Sequence, residues 1–204
     1  SLRRKRQQAI QLADQFLRSV FLDLFGDPLT WSKNNTSTDW EYLPIRKIAH
    51  LKRGYDLPVQ NRHGEGVPVY AANGVVGFHN EEKVSGPGVI TGRSGTLGTV
   101  MFSNESFWPL NTSLYVTDFC GNEPRYIQWF LKFYKLDRFH RGAGVPTLNR
   151  NLFLDEMSFV PPIEIQKKFV DIFNIVAAVH SKFNDYSDKN LFESLSQKAF
   201  AGEL

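Results

Sequence analysis

The side chains with the longest chemical reach in this 204-residue chain sit on short polar runs marked by glycine or asparagine. The runs are Lys52-Arg53-Gly54-Tyr55, Arg62-His63-Gly64, Asn73-Gly74, His79-Asn80, Arg93-Ser94-Gly95-Thr96 and Arg141-Gly142. Arginine and asparagine make the paired hydrogen bonds that read guanine and adenine edges. Lysine and serine hold phosphates, and glycine lets backbone N–H groups come close to them. Each residue taken singly also fits an ordinary turn. As a set, Lys52, Arg53, Tyr55, Arg62, His63, Asn73, His79, Asn80, Arg93, Ser94, Thr96 and Arg141 favour a binding surface on one face of a scaffold and are the candidate DNA-contact residues. Arg93, between Gly92 and Gly95, is the sharpest candidate. A base edge, a phosphate or a carboxylate within the fold are all open to it.

Other chemistries lack their residues. The glycines of Gly92-x-x-Gly95-x-x-Gly98 do not have the dinucleotide spacing, and neither a phosphate-loop motif nor a nucleophile elbow occurs. They serve tight turns or a close approach of backbone to a ligand. His50, His63, His79, His140 and His180 are scattered without metal-ligand spacing. Asp118 and Glu123 could form a carboxylate pair, but a strand end followed by a helix start explains them without catalysis. No constellation argues for an enzyme.

The elements that must position these turns come mostly as strands first and helices later, an α+β order. The stretch 40–53 predicts a short strand or turn, then Ile45, Ile48 and Leu51 on one face of a short helix or irregular turn. Residues 67–80 predict a hairpin turning at Asn73-Gly74. Residues 88–103 predict two strands, 106–119 end in another, and 157–161 form the last. A helix is expected over 123–139, with Pro124 in its first turn and Ile127, Phe130, Leu131 and Tyr134 on one face. Residues 141–153 read as a Gly-rich loop running into a short turn.

Two amphipathic stretches flank this domain. After Pro161 and Pro162, apolar residues fall on Ile165, Phe169, Ile172, Val176, Val179, Phe183 and Tyr186, in alternating steps of four and three. That is a coiled-coil seam. The run 163–200 has no proline or glycine and predicts a rod of roughly 55 Å, which needs a partner along its length. Residues 2–25 carry a second stripe on Ile10, Ala13, Leu17, Val20 and Leu24, widened by Phe16, Phe21 and Phe25. The expectation is antiparallel pairing, with Leu17, Val20 and Leu24 facing the Phe169 to Phe183 seam. The helix ends also repeat: Phe16, Leu24, Gly26 and Asp27 match Phe192, Phe200, Gly202 and Glu203 at a constant offset of 176. The expected organisation is therefore a helix over 1–27, a polar linker over 28–39, a globular domain over 40–160 and a long helix over 161–204. A chain starting in mid-helix at Ser1 reads as one module cut from a tandem array.

Composition sets the class. Apolar residues are 42% and charged residues 22%, which fits a globular rather than a disordered chain. No apolar run approaches membrane-spanning length, and the charged, amphipathic N-terminus is not a signal peptide. The lone Cys120 excludes an internal disulfide and fits a reducing cytoplasm. Net charge is only +3, but residues 125–150 hold six basic side chains against the single acid Asp137. Such a face suits either nucleic acid or water.

Four stretches carry a family likeness: RRKRQQAIQLADQFLRSVFLDLFGDP, VITGRSGTLGTVMF with FWPLNTSLYV, RGAGVPTLNRNLFLDEMSFVPPIEIQKKF, and LFESLSQKAFAGEL. With them the chain resembles half of a specificity subunit of type I restriction–modification systems. The resemblance implies a globular target recognition domain flanked by two long helices that pair as an antiparallel coiled-coil spacer. It implies binding of double-stranded DNA, one half of a bipartite target per recognition domain, and no catalysis. It places S-adenosylmethionine, ATP and Mg²⁺ in partner methyltransferase and restriction subunits rather than in this chain. It also leaves room for a homodimer through the long helices, since a second recognition domain is absent. No base-reading residue is transferred by it. An enzyme binding a small anionic substrate in the Gly-rich loops, and a coiled-coil scaffold binding protein, are the alternatives.

Overall fold

The computed structural model of the chain describes residues 2–141 and 146–179. It divides into two compact units: Phe25–Lys167, and Ser1–Leu24 together with Lys168–Leu204.

The unit Phe25–Lys167 is built on β strands. In chain order they are β1 (Glu41–Pro44), β2 (His50–Arg53), β3 (Val67–Ala71), β4 (Gly74–His79), β5 (Gly88–Gly92), β6 (Val100–Ser103), β7 (Trp108–Pro109), β8 (Ser113–Asp118), β9 (His140–Arg141), β10 (Thr147–Leu148) and β11 (Met157–Val160). The central antiparallel sheet has the order β2-β8-β5-β6, and a second sheet has the order β4-β3-β7. β1 pairs with β11, and β9 with β10, both antiparallel. β5 reads Gly-Val-Ile-Thr-Gly and is buried along its whole length, as a central strand should be.

The helix expected over 123–139 is present but shorter: α2 covers Pro124–Tyr134. Pro124 opens it, and Lys135 closes it in the left-handed conformation at φ 53°, after which residues Leu136–Phe139 form a 3-10 turn. Its buried face is wider than one stripe. Tyr126, Trp129 and Phe133 are buried beside Ile127, Phe130, Leu131 and Tyr134, so α2 is a core helix. A short helix, α3 (Arg150–Leu154), follows the Gly-rich loop, capped by Asn149, whose side chain accepts from the N–H of Asn151.

Two expectations change in detail. Ile45, Ile48 and Leu51 are all buried, but not on one helix. Residues Ile45–Lys47 form a 3-10 turn, and Leu51 already lies in β2, bonded to β8. Steps of three residues match the 3-10 period, which periodicity could not separate from a helical stripe. The hairpin loop of β3 and β4 is Ala72-Asn73, with Gly74 opening β4 rather than sitting in the turn.

Residues 28–39 carry no helix or strand, as a linker should, yet they are anchored. The Trp31 indole N–H donates to the Phe25 carbonyl at 2.6 Å. Its ring stacks on Phe130 with centroids 6.0 Å apart and meets Trp40 edge-on at 5.3 Å. The aromatic residues, not the surrounding Ser, Thr and Asn, decide where this segment goes.

The other unit holds α1 (Leu2–Phe25) up to Leu24, and the continuation of a helix, α4, described over 163–179. Leu17 and Phe21 are buried on α1, while Ile10 and Phe16 are exposed, so the covered stripe is narrower than the sequence stripe. The Phe21 ring meets Phe169 of α4 edge-on at 5.4 Å. Ile172 and Val176 are half-buried and Val179 is exposed. The seam residues Phe183 and Tyr186, and the repeated helix end at 192–203, lie outside the described residues.

Candidate nucleic-acid interface

Three elements distant in sequence converge beside β2. The stretch Arg46 to Arg53 supplies one wall, the residue after β5 a second, and the start of α3 a third. One hollow of about 650 Å³ is lined by Arg46, Lys47, His50, Leu51, Lys52, Arg53, Arg150, Asn151 and Leu154. A second, of about 380 Å³, is lined by Arg53, Arg93, Thr147, Leu148, Asn149, Arg150 and Asn151. They share Arg53, Arg150 and Asn151, so together they make one groove with six cationic side chains. Among the described residues lining it, none is acidic. Carboxylates stand only near its ends, where Asp155 pairs with Arg46 and Asp56 lies 3.8 Å from Arg53.

Backbone geometry fixes Arg93. The N–H groups of Arg93 and Ser94 donate to the Thr112 carbonyl at 2.9 and 3.1 Å, and the Arg93 carbonyl accepts from Leu148 at 2.8 Å. A Cβ on Gly92 would lie 2.0 Å from the Thr96 carbonyl and 2.8 Å from that of Ala72, so only glycine allows the turn to pack here. The Arg93 guanidinium donates to the Asn111 carbonyl at 3.3 Å. Its pKa is lowered, first by burial and then by the charges of Arg53 and Arg150. A cation pressed by two others without a facing acid is an arrangement that an anion stabilises.

The predicted contact residues divide into two groups. Lys52, Arg53 and Arg93 line the groove. Ser94 is bridged to Thr147 on its wall, and Thr96 is exposed in the adjoining turn. Asn73 is exposed at the hairpin tip next to Ala72, whose carbonyl approaches Gly92. Tyr55 is engaged within the domain, its hydroxyl 2.8 Å from that of Tyr115. His63 and Asn80 line another hollow, of about 670 Å³, with Glu65. The His63 and His79 rings stack at 5.7 Å, and His79 meets Trp108 edge-on at 4.8 Å. Arg62 donates to the Leu57 carbonyl at 3.1 Å. Arg141 contributes its backbone to the β9–β10 pair, and its side chain lies outside the described residues.

Sequence reasoning missed Arg46, Lys47, Arg150 and Asn151. Arg46 and Lys47 were hidden in a stretch read for its apolar period. For Arg150 the available signal was the run Thr-Leu-Asn-Arg-Asn, a helix cap followed by a cation just after a Gly-rich loop. Asp118 and Glu123 form no catalytic pair. An Asp118 carboxylate oxygen accepts from the Cys120 N–H at 2.7 Å, and Glu123 precedes α2 without a side-chain cap bond. Among the described residues, no group of His, Cys, Asp and Glu could hold a metal ion, and no helix is long and apolar enough to cross a membrane.

Comparison with known proteins places this geometry. The family model described as the type I restriction modification DNA specificity domain matches residues 37–185. No curated protein matches the chain. The solved HsdS subunit from Thermoanaerobacter tengcongensis is similar at 13% identity and TM-score 0.58, covering 99% of this chain and 54% of its own. The type I restriction-modification system S subunit from M. genitalium is similar at 13% identity and TM-score 0.61, covering 86% and 49%. A chain from a structure addressing complex assembly and conformational transition of the type I R-M system is similar at 14% identity and TM-score 0.61, covering 99% and 55%. At these identities the likeness concerns the fold, and the chain spans about half the length of each solved relative.

Proposed function

The chain belongs to the type I restriction modification DNA specificity domain family, and from that premise we propose that it is a non-catalytic module that directs a methyltransferase complex to one half of a DNA target. The observation that carries the reading is the acid-free groove where Lys52, Arg53, Arg93 and Arg150 meet. Duplex DNA presents a dense row of phosphates, and a concave cationic surface releases their counterions on binding. The contact set is Lys52, Arg53, Asn73, Arg93, Ser94, Thr96 and Arg150 around the groove, with Tyr55, Arg62, His63, His79, Asn80 and Arg141 as the outer candidates.

In this reading 40–160 is the target recognition domain, 28–39 its tether, and 1–27 and 161–204 the spacer helices. The Phe21–Phe169 contact supports antiparallel pairing of those helices. The same faces suit methyltransferase subunits, a restriction subunit and a second copy of the chain. Methyl transfer and ATP-driven steps belong to those cytoplasmic partners, which hold S-adenosylmethionine, ATP and Mg²⁺.

The test is to co-purify the full chain with the methyltransferase encoded beside it and map the methylated adenines. A defined half-site is expected, and Lys52→Ala with Arg53→Ala should reduce binding to cognate and random duplex more steeply as salt rises. Wild-type binding that does not weaken between about 50 and 200 mM salt would refute a phosphate-bound interface. The small-anion enzyme reading predicts instead turnover by the chain alone.

A further inference from the structure

We propose that Arg53, Arg93 and Arg150 close together on a single backbone phosphate of duplex DNA, as one shared clamp and not as three separate contacts. This rests on the groove being a DNA interface and adds what its narrow lobe binds.

The three cations come from the end of β2, the turn after β5 and the start of α3, and all line the hollow of about 380 Å³. Each is held from behind. Arg93 donates to the Asn111 carbonyl at 3.3 Å, Arg150 points a nitrogen at the Leu51 carbonyl at 3.5 Å, and Arg53 lies 3.8 Å from Asp56. A guanidinium carries five N–H donors, so each retains donors for a ligand. Asp56 is the only carboxylate recorded against any of the three. It is exposed, and it also accepts from the Asn111 side chain. Three positive charges thus face one hollow with one solvated acid at its edge.

A base edge suits this poorly. Guanine offers one acceptor pair, which a single arginine fork fills. A phosphate offers a full negative charge and oxygens in several directions, so it can satisfy several forks at once. Crowding that raises the free energy of the empty groove is relieved when the anion arrives, which agrees with Arg53 and Arg150 depressing the Arg93 pKa.

The test uses the full chain and a random-sequence duplex, titrated at several salt concentrations. Each neutralised phosphate contributes about 0.9 to the slope of log affinity against log salt. The variants are Arg150→Gln, the pair Arg53→Gln with Arg150→Gln, and the triple that adds Arg93→Gln. A shared clamp predicts a total slope change of about 0.9 in the triple, with the pair losing no more than that. Cognate and random duplex should weaken alike. A change of about 2.7 in the triple overturns sharing in favour of separate phosphates. An unchanged slope removes the three residues from the backbone, and a loss confined to the cognate duplex makes them base readers. Wild-type chain whose duplex binding ignores salt refutes the DNA reading and the clamp with it. Should the triple melt early, the pair decides: a change near 1.8 overturns the clamp, and one of 0.9 or less supports it.

Discussion

Gln166 offers a prediction whose size follows from the structure. It is 1% exposed in the first turns of α4, inside the Pro-Pro-Ile-Glu-Ile-Gln run. Its amide nitrogen donates to the Asn122 side-chain oxygen at 2.7 Å and to the Pro161 carbonyl at 2.9 Å, and its oxygen accepts from the Glu123 N–H at 3.0 Å. Asn122 in turn donates to the carbonyls of Ile48 and Phe119 at 3.0 and 3.1 Å. One buried amide therefore ties the start of α4 to the start of α2 and, through Asn122, to the turn before β2. Gln166→Ala removes three hydrogen bonds and strands a buried N–H, at about 1 kcal/mol per bond and 1–3 kcal/mol for the unsatisfied group. Allowing for overlap, the cost is about 2–4 kcal/mol. At about 2–4 °C per kcal/mol for a domain near this size, the melting temperature should fall by roughly 4–16 °C. Gln166→Glu keeps the acceptor but loses both donors and buries a charge, so it should be no better. Asn122→Ala combined with Gln166→Ala should couple by about 0.5–3 kcal/mol in denaturant unfolding. A Gln166→Ala chain that melts within about 1 °C of wild type would refute the staple.

Two further predictions concern stability. Phe169→Ala, at a fully buried ring packed on Phe21, should cost about 3–5 kcal/mol by denaturant unfolding, whereas Val179→Ala, at an exposed seam position, should cost under about 1 kcal/mol. Equal costs would contradict the narrow covered stripe. Alkaline pH should also destabilise the fold. Burial raises the pKa of Tyr126, and burial with a hydrogen bond to Glu156 raises that of Tyr134. A raised folded-state pKa means stability that is complete below the ordinary tyrosine value near 10 and is lost as pH climbs past it, by up to about 1.4 kcal/mol per pH unit for each group. Arg125, pushed down to about 10 by burial, acts in the opposite sense over the same range. Comparing Tyr126→Phe with wild type isolates the tyrosine: the variant should lose less melting temperature between about pH 9 and 11, and parallel profiles would sink the argument.

The parts legible in the sequence were those set by local signals. Turn residues gave the β3–β4 hairpin to within one position, and Pro124 gave the start of α2. The buried strand β5 could be read from its apolar run between glycines. Boundaries failed where a backbone decision overrode the apolar pattern. Lys135 ends α2 in a left-handed conformation that lysine does not announce, and β2 begins where pairing with β8 takes over from the 3-10 turn. The groove was half legible. Lys52, Arg53 and Arg93 stood out because they flank glycines, but Arg150 enters it only through β10 and α3 folding back, a contact about a hundred residues away from Leu51 in sequence. No local pattern encodes that closure, since it depends on hydrogen bonds such as Leu148 N–H to the Arg93 carbonyl.

The placement of Arg93 also shifts the question of sequence reading. Its guanidinium is half-buried, held by the Asn111 carbonyl and flanked by two other arginines, so its strongest complement is charge rather than a base edge. Backbone phosphates fix register without carrying sequence. A module gripping through Arg53, Arg93 and Arg150 still needs side chains that project beyond the grip. Asn73 has the right chemistry, because an asparagine amide pairs with the adenine edge, and the right place, because it is exposed on a two-residue loop whose Ala72 carbonyl approaches Gly92. That tight contact ties the hairpin tip to the clamp. The phosphate grip thereby sets where Asn73 meets the groove floor, and a short variable loop can change the base that is read without disturbing the cations that hold the duplex.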